Sequence, residues 1–284
     1  MKLLPIKLLI LYLPSFVLTQ TFYPADPFYL LQYERAQFQN RLPIQSNIFR
    51  PLFFATDSLE FNLTFRSEGY FNDNAPNQEN MDIRYLSKGF LNFNSIEFSL
   101  NSAYLSLIVE PYLMNRKLIN HSSINRAGPF SVLNDQILQD NHVPPSGGFR
   151  NLFGFIHYKG FGFGWHKGNR WWGPGIHTSL QMTNNTQPIP AQIIGTLKEI
   201  KIGSFGIFGL YTFAKMNREQ DPLSKYYTSL NGQLTWYGPL NLTLGFSRNY
   251  LTGGIVNKNY KWTESDARKI VFEDIFISNL IDLE

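Results

Sequence analysis

The chain has 284 residues, of which 16% are charged and 16% aromatic, and it contains no cysteine. The lack of cysteine excludes disulfides, thiol chemistry and cysteine-based metal sites. The net charge of +4 is small and dispersed, which argues against a nucleic-acid partner, because such proteins carry a clustered basic face. After the N-terminus the sequence has no stretch of 18 consecutive apolar residues, so it predicts no membrane-spanning helix there.

Residues 1–20 are organised like a secretory signal peptide. Lys2 and Lys7 supply a positive head, and an apolar run interrupted by Pro14 follows. This run is shorter than the about 20 residues that span a bilayer. We therefore predict that the segment is removed during export, at a site within residues 17–21. A buried helix is the alternative.

Residues 26–37 predict one short helix. Asp26 suits the N-cap position, Pro27 suits the first helical position, and Leu42-Pro43 ends the pattern. Isolated helices of this length are marginal in water, so a linker with a frayed helix is the alternative.

From residue 58 the hydrophobic period changes to two, which predicts a β-strand. The apolar positions Leu59, Phe61, Leu63 and Phe65 alternate with the polar positions Glu60, Asn62, Thr64 and Arg66. Two more strands are predicted at 83–93 and 96–109, with a break near Asn94-Ser95 and an end at Glu110-Pro111. Residues 114–148 have no sustained period, so we expect a long loop that either contacts ligand or has no ordered role.

Strand patterns resume at residues 149–165. Phenylalanines and Trp165 alternate there with glycines, which predicts either close backbone approach or a crowded lumen on the glycine face, and an aromatic outer face. Further strands are predicted at 178–182, 191–201, 205–213, 227–236, 240–246 and 270–277, giving about eleven in all. Alternation of this kind fits an antiparallel transmembrane β-barrel or a soluble β-sandwich, and composition alone does not separate the two.

The most informative stretch is residues 168–190, GNRWWGPGIHTSLQMTNNTQPIP. Gly173 and Gly175 flank Pro174, whose φ is fixed, so the backbone is predicted to form a sharp and rigid corner. Pro188-x-Pro190 ends the stretch.

The corner follows an arginine and two adjacent tryptophans. Arg170 supplies a planar donor fork, and Trp171 and Trp172 supply two flat apolar faces. This chemistry suits sugars, carboxylates or the polar edge of a membrane. A pair of girdle tryptophans at the rim of a barrel is the alternative interpretation.

The run Arg170-Trp171-Trp172-Gly173-Pro174-Gly175, with Ser179-Leu180, Asn184-Asn185 and Pro188-x-Pro190 after it, resembles the signature of the Wzi family of capsule-assembly proteins. The resemblance is specific over this stretch and diffuse elsewhere. It implies an all-β protein, an antiparallel transmembrane β-barrel in the Gram-negative outer membrane that acts as a surface lectin. The chain would then divide into a signal peptide (1–20), an N-terminal periplasmic helical segment (21–57) and a barrel portion (58–284).

The expected function is to bind capsular or extracellular polysaccharide and retain it at the cell surface, without catalysis. Sugar rings would stack on aromatic side chains and accept hydrogen bonds from polar ones, and many weak contacts along a polymer would add up. The candidate ligand-binding residues are Arg170, Trp171, Trp172, Asn184 and Asn185, and the structural residues of the motif are Gly173, Pro174, Gly175, Pro188 and Pro190.

Partners other than polysaccharide are expected to be outer-membrane lipid and, during biogenesis, the barrel-assembly machinery. We expect no cofactor and no metal, because His157, His166 and His177 fall on different strands and faces and no acidic residue completes a zinc triad. An outer-membrane diffusion channel is the main alternative, and a hydrolase or acyltransferase of the outer membrane is a third.

Residues 58–284 can supply ten or eleven membrane strands, since each strand needs about 9–11 residues besides its turn. The resembled family builds a wider barrel. We therefore expect an unclosed antiparallel sheet, part of a longer barrel, whose first strand near Ser58 and last strand near Ile277 do not pair.

Overall fold

The computed structural model describes residues 22–42, 48–53, 58–73, 81–84, 88–115, 145–175, 179, 181–184, 188–216, 225–253 and 262–276. The predicted signal peptide and most of the predicted loop at 114–148 lie outside the described residues. The helix predicted at 26–37 is present, and the chain is otherwise mainly antiparallel β-sheet, which confirms the all-β class.

In chain order the elements are β1 (Phe22–Tyr23), α1 (Pro27–Phe38), β2 (Phe49–Arg50), β3 (Leu52–Phe53), β4 (Glu60–Asn72), β5 (Gly89–Asn101), β6 (Leu105–Met114), β7 (Gly147–Tyr158), β8 (Phe161–Lys167), β9 (Trp171–Trp172), β10 (Ala191–Thr196), β11 (Ile200–Ile202), β12 (Phe205–Lys215), β13 (Tyr226–Tyr237), β14 (Asn241–Thr252) and α2 (Glu264–Phe276).

One large antiparallel sheet contains most of the strands. Its order is β14-β13-β12-β10-β8-β7-β6-β5-β4, with β11 paired to β12, so strands that are neighbours in sequence are neighbours in space. Within the described residues β4 and β14 form the two edges and do not pair with each other. The expected unclosed sheet is therefore present, but its last strand is β14 and not residues 270–277.

The sheet has two chemically different faces. On the outer face the exposed apolar side chains are Phe61, Leu63, Phe65, Phe71, Phe90, Ile96, Leu105, Leu113, Ile156, Phe161, Phe163, Trp165, Ile194, Phe205, Ile207, Leu234, Trp236, Leu242, Leu244 and Phe246. The alternate residues form the inner face, which is mostly buried and includes charged and amide side chains such as Glu110 and Asn231. The two-residue period of a strand produces this division directly.

The two ends of the sheet also differ. At one end tight turns join β5 to β6, β7 to β8, β11 to β12 and β13 to β14. In the turn between β7 and β8, Lys159 and Gly160 both have positive φ, 51° and 86°, as a type I′ hairpin turn requires. The longer connections, between β4 and β5, β6 and β7, β8 and β10, and β12 and β13, start and finish at strand ends on the opposite side of the sheet.

Close backbone approach on the glycine face of β8 is confirmed, and Phe161, Phe163 and Trp165 lie on the outer face as expected. In β7 the expected aromatic outer face is wrong, because Phe153 and Phe155 are buried on the inner face. A Cβ added to Gly162 would lie 1.9 Å from the carbonyl oxygen of Ile156, and one added to Gly164 would lie 2.1 Å from that of Gly154. Only glycine fits these positions without a shift of the neighbouring strand.

Several predicted strands have different limits in the structure, and the run predicted at 191–201 is divided between β10 and β11. Residues 81–84, the start of the strand predicted at 83–93, form a turn, with φ of 64° at Asp82. The run predicted at 96–109 is divided between β5 and β6 by a turn at 102–104, and β6 continues past Glu110-Pro111 to Met114. The described parts of residues 178–182 are not in a strand either. The division of the run at 96–109 has a local cause. The backbone N–H of Leu105 donates to the hydroxyl of Ser102 at 3.0 Å, and this turn interrupts the apolar run.

The prediction of a strand at 270–277 is wrong, because residues 264–276 form helix α2. Thr263 and Asp266 form a capping box: the N–H of Asp266 donates to the Thr263 hydroxyl at 3.2 Å, and the N–H of Thr263 donates to the Asp266 carboxylate at 3.0 Å. Ala267 and Val271, four residues apart, are both fully buried. The helical spacing and the cap outweigh the β-branched composition of the run.

The N-terminal segment packs against the inner face. β1 pairs with β3, and β2 pairs with β9. Phe53 stacks on Phe153 of β7 with ring centroids 4.4 Å apart, and Phe22 and Ile193 join the same buried cluster. The inner face of the sheet is therefore partly covered by the chain's own N-terminal residues.

Candidate functional site

The two tryptophans of the motif form β9 and lie in the interior. Trp171 is 0% exposed and Trp172 is 3% exposed. β9 pairs with β2, which places Trp171 opposite Arg50 and Trp172 opposite Phe49. Trp172 also packs against Tyr227 of β13, with ring centroids 6.5 Å apart.

Arg50 holds the predicted corner in place. Its guanidinium carbon lies 5.1 Å from the centroid of the Trp171 ring, and Nη2 donates to the carbonyl oxygens of Gly173 at 3.2 Å and Gly175 at 2.7 Å. Trp171 Nε1 donates to the same Gly175 oxygen at 2.7 Å. Burial lowers the pKa of Arg50 to about 10, so it stays charged at neutral pH.

The backbone of the corner agrees with the prediction at one of its two glycines. Gly173 has a φ of 147°, a value that favours glycine. Gly175 has a φ that other residues can also adopt. Sequence reasoning did not find Arg50, because it is 123 residues from Gly173 and no local spacing signals the contact.

Arg170 is buried as well, with 2% exposure. Nη1 donates to the carbonyl oxygen of Ile189 at 3.1 Å, and Nη2 donates to that of His166 at 3.1 Å. Ile189 lies between Pro188 and Pro190, so Arg170 ties the two ends of the motif together. Burial lowers the pKa of Arg170 to about 10, so this side chain also remains charged.

Asn184 connects the motif to two other segments. The side-chain amide of Asn184 donates to the carbonyl oxygen of Ala25 at 2.7 Å. The backbone carbonyl of Asn184 accepts a hydrogen bond from the backbone N–H of Asp82 at 3.0 Å. Asn184 is 2% exposed, and Asn185 lies outside the described residues. The four described members of the predicted site thus all contact the protein's own backbone.

The densest group of charged side chains lies nearby, on the inner face. We call it the ionic cluster, and it consists of Asp26, Arg66, Glu68, Asp82, Arg84, Glu110 and Arg150. Its members come from the residue before α1, from the turn at 81–84 and from β4, β6 and β7. Sequence reasoning missed this cluster, since the five segments are far apart in the chain.

Glu110 is the centre of the ionic cluster and is 0% exposed. It accepts hydrogen bonds from Arg150 at 3.0 Å, Arg66 at 3.3 Å, Ser95 at 2.8 Å and Asn151 at 2.5 Å. Hydrogen bonds from several donors compensate a buried carboxyl group for the hydration that it loses.

A β-bulge brings two neighbouring residues of β7 to Glu110. The register shifts between Glu110 and Pro111, so that Glu110 pairs with Asn151 while Pro111 pairs with Phe149. Arg150 is therefore the extra residue, and both Arg150 and Asn151 are buried on the inner face. Pro111 marks the position, since proline within a sheet is confined to edges and bulges.

The turn at 81–84 attaches to the sheet through the same cluster. Arg150 Nε donates to Asp82 at 2.6 Å, and Arg84 donates to Glu68 through Nε at 2.6 Å and Nη2 at 2.8 Å. Asp26 completes the contacts by accepting from Arg150 at 3.4 Å. The ionic cluster therefore joins the N-terminal segment and the turn to the wall of the sheet.

Opposing effects act on the carboxyl of Asp82. Complete burial, with repulsion from Glu110 and Asp26, raises its pKa to about 7, although Arg84 favours the charged form. The contact with Arg150 at 2.6 Å fits the ionised state. Burial decides the direction of the pKa shift of Asp82, because a fully enclosed carboxyl loses all of its hydration.

A second polar region, the amide row, lines β13 and β14. On the inner face Tyr227 donates to Asn249 at 2.8 Å, and Ser247 donates to Asn231. Gln181 of the motif loop reaches the row and donates to the carbonyl oxygen of Ser247 at 3.0 Å. Asn231 is buried, whereas Ser247 and Asn249 are half-buried and Gln181 is exposed. The amide row thus offers neutral donors and acceptors at its open side.

In the part of the chain that the structure describes, no group of three histidine or acidic side chains is arranged to hold a metal ion. Neither α1 nor α2 is long and apolar enough to cross a membrane. No family model, no curated protein and no solved structure matches this chain.

Proposed function

We propose that this chain forms part of the wall of an outer-membrane protein that binds capsular or extracellular polysaccharide and retains it at the cell surface, without catalysing a reaction. The observation that carries the proposal is the division of the sheet into an apolar outer face and a polar inner face. A membrane barrel needs an apolar face toward the lipid and a polar face toward its aqueous interior.

Exposure of the outer face supports a membrane protein over a soluble β-sandwich. A sandwich buries its apolar face against a second sheet. Here Leu244 is 75% exposed, Phe65 is 71% exposed and Phe163 is 59% exposed. Within the described residues no second large sheet covers them. A continuous apolar surface of this extent needs lipid or another apolar partner.

Packing on the inner face supports retention of a polymer over passage of solutes. The space enclosed between β2, β3 and the sheet is about 40 Å³ and is lined by Phe49, Phe53, Phe153, Trp172 and Ile193 among others. It has room for one or two water molecules. A sugar at this position would have to displace the N-terminal segment.

The amide row supplies the chemistry for weak contacts with sugar hydroxyls. Gln181, Ser247 and Asn249 each offer donors and acceptors at its open side. Each contact is weak, and repetition along a polymer supplies retention through avidity. The resemblance of residues 170–190 to the Wzi signature supports the same function.

The predicted contact of Arg170, Trp171, Trp172 and Asn184 with sugar remains a prediction. In the structure these side chains hold the described part of the motif, including Gln181, against the inner face of the sheet. Polysaccharide would reach them only after the covering segments move.

The amide row provides the test. We expect Gln181→Ala/Asn249→Ala to shift polysaccharide from cells to the medium while total polysaccharide is unchanged. Gln32→Ala/Gln39→Ala removes two exposed amides of α1 and its C-terminal flank and is the matched control. Heat-modifiable migration of both variants in outer-membrane fractions would show that they fold.

Three results would contradict the proposal. They are unchanged retention by the folded double variant, recovery of the protein from the soluble periplasm, and steady conductance in planar bilayers without bound polysaccharide. The last result would favour the diffusion channel.

A further inference from the structure

Helix α2 lies on the outer face of the sheet, at the end with the long connections. Tyr211 of β12 donates its hydroxyl to the carbonyl oxygen of Arg268 at 2.9 Å, and Thr228 of β13 donates to that of Ala267 at 2.6 Å. Tyr211 and Phe272 stack with ring centroids 5.5 Å apart. Tyr211 and Thr228 alternate in register with exposed residues such as Ile207 and Leu234, which places them on the outer face.

The side of α2 that faces away from the sheet is charged. Glu264, Lys269 and Glu273 are exposed, and Arg268 is partly exposed beside Glu264, to which Nη2 donates at 2.7 Å. Charged side chains of this number do not reside in hydrocarbon. The part of the outer face that lies under α2 is therefore outside the apolar layer.

Cations and aromatic rings are paired along the strand ends below α2. The Arg268 guanidinium lies 3.8 Å from the Phe213 ring centroid, Lys225 lies 5.3 Å from that of Tyr226, and Arg248 lies 5.3 Å from that of Tyr250. Such pairs are typical of the boundary between water and hydrocarbon, where one end of a side chain is apolar and the other is hydrated.

Two lysines at the strand ends lie near the start of α2. The pKa of Glu264 is lowered chiefly by its hydrogen bond to Arg268, and Lys215 and Lys225 add to the effect. Lys269 on the helix and Arg248 on the outer face of β14 are two further cations at this end of the sheet.

The outer face changes character along β14 in the order expected for a bilayer. Leu242, Leu244 and Phe246 are 56%, 75% and 56% exposed, and the next outer residues are Arg248 and Tyr250. An arginine on the lipid-facing side of a strand is costly at the membrane midplane and tolerated near the interface. The apolar layer therefore ends near Arg248.

We propose that α2 is a membrane-surface helix that covers β12 to β14 where they leave the hydrocarbon, and that Lys215, Lys225, Arg248 and Lys269 contact the phosphates of anionic lipid headgroups. The inference rests on the proposed membrane insertion. Because long connections of outer-membrane sheets are extracellular, the lipid concerned is that of the outer leaflet.

The absence of cysteine allows a direct test of depth. Leu244→Cys and Lys269→Cys, each in the full chain, are labelled with a nitroxide and reconstituted in vesicles of phosphatidylcholine and phosphatidylglycerol. We expect oxygen to relax the label at 244, and a water-soluble nickel chelate to relax the label at 269. A label at 269 that prefers oxygen would overturn the surface position of α2. A water-exposed label at 244 would instead overturn membrane insertion itself.

Lipid charge tests the headgroup contact. We expect phosphatidylglycerol to raise the thermal unfolding midpoint of the native chain in phosphatidylcholine vesicles, and Lys225→Glu/Lys269→Glu to lose most of that rise. Lys201→Glu, at the opposite end of the sheet, is the matched control and should keep the rise. If the reversed variant does not insert, Lys225→Gln/Lys269→Gln removes the charges without reversing them. An equal response of native chain and inserted variant would overturn the contact and would favour a protein partner for α2.

Discussion

Removal of Arg150 should be among the most destabilising single changes in this protein. The side chain is 2% exposed and donates to Asp82 at 2.6 Å, to Glu110 at 3.0 Å and to Asp26 at 3.4 Å. Arg150→Met keeps most of the buried volume but leaves three acidic groups without their shared cation. Breaking a buried ion pair from one side costs about 3–5 kcal/mol, and we expect a loss in this range.

The free energy of unfolding is measured by urea titration in detergent or vesicles, with fluorescence of the five tryptophans as the signal. Arg268→Met is the control, since Arg268 forms an exposed ion pair with Glu264 four residues away. Exposed pairs of this kind contribute little to stability. A double variant, Arg150→Met/Glu110→Gln, should recover part of the loss, because it also removes one of the stranded charges.

The loss caused by Arg150→Met should also depend on pH. Without the guanidinium, Asp82 binds a proton more readily, so the destabilisation should shrink as the pH falls below about 7. If Arg150→Met were as mild as Arg268→Met, or if its effect did not change with pH, the ionic cluster would not be what fastens the N-terminal segment to the sheet.

Three further predictions follow from single contacts. Burial raises the pKa of Asp82 from 3.8 to about 7, so its contribution to stability is greatest below the unfolded value and declines as the pH rises through about 7. Asp82→Asn should flatten that part of the stability profile measured by urea titration, and an unchanged slope would show that another group titrates. Gly164→Val, which sets a side chain 2.1 Å from the Gly154 oxygen, should cost at least about 1–3 kcal/mol of unfolding free energy, whereas Gly209→Ala meets open space and should cost much less. Thr263→Ala removes the cap of α2 and should weaken it by about 1 kcal/mol, seen as faster hydrogen exchange confined to the helix; uniform exchange would contradict a local cap.

The sequence alone determined most of the strands and the two faces of β4 and β8, but not the helix at 264–276. Alternation of side chains along a strand is a local property with a period of two residues, so Phe61, Leu63 and Phe65 could be assigned to one face without any knowledge of their neighbours. The glycine face of β8 followed in the same way from the local pattern, whereas the unclosed sheet was expected from the number of strands together with the wider barrel of the resembled family. Helix α2 was also encoded locally, in the capping box of Thr263 and Asp266. The β-branched residues after the capping box favour a strand instead, and the prediction at 270–277 followed them.

The tertiary structure decided what surrounds the motif at 168–190. Trp171 and Arg170 have the composition of a ligand-binding surface, and nothing near them in sequence indicates burial. Their burial depends on Arg50 and the N-terminal segment, which lie more than a hundred residues earlier and pack on the inner face only when the sheet has formed.

The ionic cluster has the same origin. Glu110 and Arg150 are ordinary charged residues in the sequence, and a bulge beside Pro111 is what turns Arg150 inward. Hydrophobic period is read along one segment, whereas charge pairing requires side chains from five segments to meet in one buried volume. Local sequence patterns therefore specified the strands of the sheet. Only the tertiary structure specified which side chains meet on its inner face.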